Sequence, residues 1–152
     1  MPTSQEPVVL TSRGVSWLRE RLDHVLAELA EVSRADVRGS ERSSDDQALA
    51  HRLVAEVDDL TRALARAVTV VDVAEDPTIV ELGDEVDVEF VDGSRETYVI
   101  VHPLEAPMDD ASISVESPLA RALLGSRPGD RVEVAAPAGS YVCVILARRR
   151  AA

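Results

Sequence analysis

Four carboxylates fall close together in one polar stretch: Asp36, Glu41, Asp45 and Asp46, interleaved with Gly39, Ser40, Ser43 and Ser44. Two kinds of chemistry fit them. They can be a solvated turn whose last two acids, Asp45 and Asp46, favour the start of a following helix. Carried on the end of a rigid support, they can also offer hard oxygen ligands to a divalent cation inside another protein. A cation held in that way can activate water for attack on a phosphodiester. Other chemistry finds no footing. His24, His51 and His102 stand apart, and Cys143 lies in an apolar run where it serves as a small buried side chain. There is no nucleophile motif of the G-x-S-x-G kind and no phosphate-binding loop. A second feature is Glu116-Ser117-Pro118. Ser117 and Pro118 are well suited to cap and open the short helix that ends at Gly125.

The support for the acids is legible in the spacing of apolar residues. Val15, Leu18, Leu22, Val25, Leu29 and Val32 step by alternating threes and fours, a heptad seam that begins just after Leu10-Thr11-Ser12. From Ser12 to Ala35 this predicts a helix of roughly 35 Å. Leu49, Leu53, Val57, Leu60, Leu64 and Ala67 repeat the pattern beyond the polar stretch. Two such helices joined by a short turn predict an antiparallel coiled-coil hairpin with the acids at its tip; two helices of a globular bundle are the alternative, and the narrow apolar stripe favours the hairpin.

Past Asp76-Pro77 the apolar period changes from helical to alternating. Val68–Val73 is a β-branched run leading out of the second helix. Val86, Val88 and Phe90 alternate with acids, Asp92-Gly93 marks a tight turn, and Thr97–Val101 returns. Ile113–Val115 reads as a short strand. Arg131–Val134 and Tyr141–Leu146 flank Pro137-Ala138-Gly139 as a second hairpin. The expected fold is α+β: an N-terminal coiled-coil finger over 1–75, then an antiparallel sheet domain with one short helix over 76–152.

Composition narrows the function. The chain has 152 residues, 45% hydrophobic and only 3% aromatic, with a formal charge of −12. All 16 of its basic residues are arginine. So acidic a chain repels free nucleic acid and favours protein partners with basic surfaces. One cysteine allows no internal disulfide, and no apolar run is long enough to span a membrane. The N-terminus has no basic region followed by an apolar core, so the expected location is the cytoplasm.

Ile113 to Gly125, with Gly129-Asp130-Arg131-Val132-Glu133-Val134 and Pro137-Ala138-Gly139, resembles the C-terminal domain of the Gre family of bacterial transcription elongation factors (GreA/GreB-like). Leu10-Thr11-Ser12-Arg13-Gly14 and Leu18-Arg19-Glu20-Arg21-Leu22 resemble the family's N-terminal start, so the likeness spans nearly the whole chain. Tyr98–Pro103 also resembles Rnk, a relative with a shorter coiled coil. The resemblance implies an FKBP-like C-terminal domain. It implies that this domain docks through Glu116, Ser117 and Pro118 on the coiled coil of the largest RNA polymerase subunit, at the mouth of the secondary channel. It further implies a finger reaching toward the polymerase active site, where tip acids share its magnesium. The chain would then be a regulator and no enzyme in isolation, with no cofactor of its own. It would act as a monomer, meeting nucleic acid only through the elongation complex.

Cleavage-active members carry D-x-[KR]-E-N-x-E-Y at the tip. Here Asp36-Val37-Arg38 matches its opening, but Gly39 stands in place of the Glu and Ser40 in place of the Asn. The hairpin's midpoint between Leu18 and Leu64 falls at Glu41, which shifts the tip to Glu41–Asp46. The resemblance therefore implies docking. It leaves transcript cleavage, inhibition of synthesis and Rnk-like competition for the channel as alternatives. An FKBP-type prolyl isomerase is a different class, and Phe90, Tyr98 and Tyr141 are too few for its aromatic pocket.

Overall fold

The computed structural model describes residues 6–37 and 43–151. Two long helices come first, α1 over Ser12–Val37 and α2 over Ser44–Ala65. Each start is set by a hydroxyl. Thr11 Oγ1 accepts from the Gly14 N–H at 2.9 Å, and Ser43 Oγ accepts from the Asp46 N–H at 3.1 Å. The expected heptad residues of both helices all pack in one cluster, with Leu18, Val25, Leu53 and Leu60 buried at its centre. Arg21 closes the seam from outside by donating to Glu56 Oε1 at 2.7 Å.

The base of the hairpin is tied by a feature the apolar periodicity did not announce. Strand β1 (Val8–Leu10) pairs in parallel with β2 (Ala67–Thr69), forming a small sheet separate from the main one. The β-branched run expected over Val68–Val73 is therefore a strand only to Thr69. It continues as a 3-10 turn over Val70–Asp72. Val70 is drawn in beneath Gly83, where an added Cβ would lie 2.4 Å from Val70 Cγ1, while Val71 stays 58% exposed.

Full burial of a leucine contributes about 1.5–3 kcal/mol, and Leu60 is 4% exposed. Leu60→Asp is expected to lower the helical melting temperature, followed by circular dichroism at the helix band, and to leave the sheet domain folded. An unchanged helical transition would mean the seam does not hold the hairpin together.

The second half is one five-stranded sheet in the order β5-β4-β3-β7-β6. Its strands are β3 (Asp84–Phe90), β4 (Arg95–Val101), β5 (Ser112–Ser114), β6 (Arg131–Ala136) and β7 (Gly139–Arg150). Asp92-Gly93 turns β3 into β4, with Gly93 at φ +85°. Ala136 pairs with Gly139, so β6 and β7 meet across Pro137-Ala138. The sheet is antiparallel except at one edge, where β5 runs parallel to β4. A crossover containing a 3-10 helix over Pro103–Met108 makes that pairing possible. Helix α3 (Pro118–Leu123) lays Leu119, Ala120 and Leu123 onto the core formed by Val86, Val88, Ile100, Val134 and Ile145.

One carboxylate shares the inward phase of Val86 and Val88. Asp84 is fully buried. Its Oδ2 accepts from the Glu81 N–H at 2.8 Å and from Arg148 Nε at 3.0 Å. Its Oδ1 accepts from Arg148 Nη2 at 2.7 Å and from Arg150 Nη1 at 3.2 Å. This network secures the far end of β7, which extends beyond the expected Leu146.

Candidate functional site

The Glu116-Ser117-Pro118 segment forms a braced corner. Ser117 caps α3, its hydroxyl accepting from the Ala120 N–H at 3.2 Å, and Pro118 opens the helix. Before it, the Glu116 N–H donates to Ser114 Oγ at 3.1 Å and the Ser117 N–H to the Ser114 carbonyl at 2.9 Å. The Val115 N–H reaches the Val101 carbonyl at 3.0 Å, tying the corner to β4. The backbone is thus committed inward while the side chains of Glu116 and Pro118 are exposed. His102 is near enough for the Glu116 charge to favour its imidazolium, yet burial dominates and lowers its pKa.

The acids of the polar stretch divide between the two helices. Asp36 lies in the last turn of α1, and Asp45 and Asp46 lie in the first turn of α2, where both are exposed. Glu41, like Arg38, Gly39 and Ser40, lies outside the described residues. Asp45 and Asp46 are adjacent on a helix, so their side chains diverge by about 100°. Among the described residues no three acidic, histidine or cysteine groups gather closely enough to hold a metal ion. The exposed acids at the start of α2, Asp45 and Asp46, put negative charge at that end of the hairpin.

Where the finger meets the sheet domain, the structure assembles residues that sequence spacing did not single out. Trp17 and Leu18 of α1, Leu60 of α2, and Pro103, Leu104 and Pro107 of the crossover line a groove of about 460 Å³. Beside it Glu105 is fully buried, and its Oε1 accepts from the Thr11 N–H at 2.9 Å and from Thr11 Oγ1 at 2.7 Å. Its Oε2 is buried without a hydrogen-bond partner among the described residues. Burial raises the Glu105 pKa, against the lowering effect of the Thr11 bonds. Arg13 and Asp109 add an exposed ion pair at 2.5 Å. Cys143 is buried in the sheet core, with its thiol pKa raised by burial, and His102 Nδ1 accepts from the Leu104 N–H at 3.2 Å.

Comparison with known proteins gives consistent matches. Residues 75–148 match the family described as transcription elongation factor, GreA/GreB, C-term. The chain is 36% identical over 143 residues to transcription elongation factor GreA of Geobacillus kaustophilus, covering 85% of this chain and 90% of that one. It is 30% identical over 160 aligned positions to transcription elongation factor GreA of Thermomicrobium roseum, covering 94% and 97%. Among solved structures it is similar to the GreA factor homolog 1 (Gfh1) protein of Thermus thermophilus. That likeness is at 28% identity and a TM-score of 0.42, over 95% of this chain and 99% of the other.

Proposed function

This chain belongs to the GreA/GreB family of transcription elongation factors, and from that premise we propose how it acts on RNA polymerase. It works as an accessory factor, not as an enzyme in its own right. The sheet domain docks through Glu116, Ser117 and Pro118 on the coiled coil of the largest polymerase subunit. The finger enters the secondary channel and brings its acidic end toward the active centre. One molecule serves one polymerase, in the cytoplasm.

The observation that carries this reading is the separation of the two features. The exposed corner belongs to the sheet domain, whereas Asp36 stands in the last turn of a 26-residue helix, about 39 Å long, and Asp45 and Asp46 open the next helix. A rod of that length holds its charges far from the docking face. The net charge of −12 suits a basic polymerase surface.

Magnesium, when bound in the polymerase, supplies positive charge at the reacting phosphate. It is the polymerase's own ion. The tip of this chain adds negative charge beside that centre without holding a metal itself. Gly39 and Ser40 replace the Glu and Asn of the cleavage-active pattern, so the tip favours modulation or inhibition of synthesis over cleavage. A metal-activating carboxylate needs geometry fixed to about half an ångström, which a glycine- and serine-rich sequence supplies poorly.

The test compares wild type with a variant carrying Ala at Asp36, Glu41, Asp45 and Asp46, on active and backtracked elongation complexes. Wild type is expected to slow or modulate RNA synthesis with little shortening of backtracked RNA, and the variant to bind without that effect. Strong cleavage by wild type would overturn the modulatory reading. Equal effects of both proteins on synthesis would leave the acids a solvated turn.

A further inference from the structure

We propose that Glu105 is a positioning residue that fixes the direction in which the finger leaves the docking domain, by completing in trans the capping box of α1. In a capping box the N-cap hydroxyl accepts from the N–H three residues on, and an acid at that third place reaches back to the N-cap N–H. In α1 the first half is present, since Thr11 Oγ1 accepts from the Gly14 N–H at 2.9 Å. The third place holds glycine, and the first turn of α1 has no acid of its own. The missing carboxylate comes from the other domain, 94 residues away in sequence. Glu105 Oε1 takes both the Thr11 N–H and the Thr11 hydroxyl. The absence of a side chain at Gly14 is what admits it: an added Cβ would lie 1.5 Å from Glu105 Oε1.

The other links at this junction are less directional. The Arg13–Asp109 pair is exposed, with Arg13 68% accessible, and such pairs hold geometry weakly. Leu104 packs against the apolar cluster of the finger, and such packing is non-directional. Two short hydrogen bonds to one buried oxygen specify an orientation.

The same crossover is rigidly joined to the docking corner. The Glu105 N–H donates to the His102 carbonyl at 2.9 Å, His102 caps the 3-10 helix, and its neighbour Val101 accepts from Val115. Docking corner, latch and helix start thus form one continuous set of contacts. This inference rests on the reading of the chain as a docked finger, because only then does the finger's bearing matter to function.

The test uses the full chain with spin labels on Ala27→Cys in α1 and Ser140→Cys in the β6–β7 hairpin, both exposed positions. Wild type is expected to give one narrow inter-label distance distribution. Glu105→Gln, which keeps an acceptor oxygen, should stay narrow, and Glu105→Ala should at least double the width. Gly14→Ala is the second variant. It favours the helix, yet its methyl must displace the Glu105 carboxylate, so it should broaden the distribution with helical content retained. On elongation complexes the two broadened variants should lose the tip's effect tenfold or more, with polymerase affinity within about threefold of wild type. Narrow distributions in both Glu105→Ala and Gly14→Ala would overturn the latch. Failure of wild type to bind polymerase would instead remove the functional reading, and the distance measurements would still decide the latch.

Discussion

Asp84→Ala is expected to destabilise the sheet domain by about 3–5 kcal/mol, the usual cost of removing one partner from a buried ion pair. Asp84 is fully buried, and the Arg148 side chain it holds is only 6% exposed. Arg148 cannot shed its proton, and its pKa is raised further by the hydrogen bonds to Asp84 and Glu75. Without Asp84 its charge would stay inside with Glu75 alone, at 2.8 Å. The Glu81 N–H would also lose its acceptor. Amide exchange across β3 and β7 in increasing denaturant reads this directly. Asp84→Asn should fall between the two, since it keeps acceptors without the charge. A midpoint for Asp84→Ala within experimental error of wild type would show that β7 is held by the ladder alone.

Glu116→Arg is expected to weaken binding to RNA polymerase roughly 10- to 100-fold, on the order of 1.5–3 kcal/mol for a charged hydrogen bond replaced by repulsion. The fold should survive, because the Glu116 side chain is exposed and only its backbone N–H is engaged, with Ser114. Binding measured with fluorescently labelled protein, alongside wild-type circular dichroism, separates the two effects. Because the lost contact is electrostatic, the difference should shrink as salt is raised. Unchanged affinity would remove Glu116 from the interface.

The helical hairpin was legible because its apolar stripe is narrow, which favours a two-helix seam over a bundle: every residue chosen by threes and fours is buried in one cluster or packs against it. Both sheet hairpins were legible from turn chemistry, at Asp92-Gly93 and Pro137-Ala138. The β1–β2 pair was not, since three-residue strands carry no measurable period and their partners lie at opposite ends of the finger's sequence. Asp84 was passed over among outward acids, although counting back by twos from Val88 and Val86 puts it on the inner face. Glu105 had a fainter signal in the helix start itself. Thr11 is followed at the third place by glycine, where a self-contained capping box would have an acid. No local pattern could name the distant residue that fills the gap. The Ser117-Pro118 helix start was legible as a motif, but the bracing of its corner by Ser114 and Val101 needed the fold. Asp36 closes α1 and Asp45 and Asp46 open α2, a division that follows from where the two helices stop and start.

The proposed function makes docking and tip action separate properties of one molecule, and a single titration tests that most directly. Wild type, Glu116→Arg and the four-alanine tip variant are each added over a wide concentration range to one stalled elongation complex, and the rate of RNA extension is read on release. Separable roles predict that Glu116→Arg reaches the full wild-type effect at concentrations raised by its loss of affinity. They predict that the tip variant saturates the complex at wild-type concentrations and changes the rate little. A tip variant that alters extension as wild type does, or a Glu116→Arg curve that overlays wild type, would contradict the finger-and-dock arrangement.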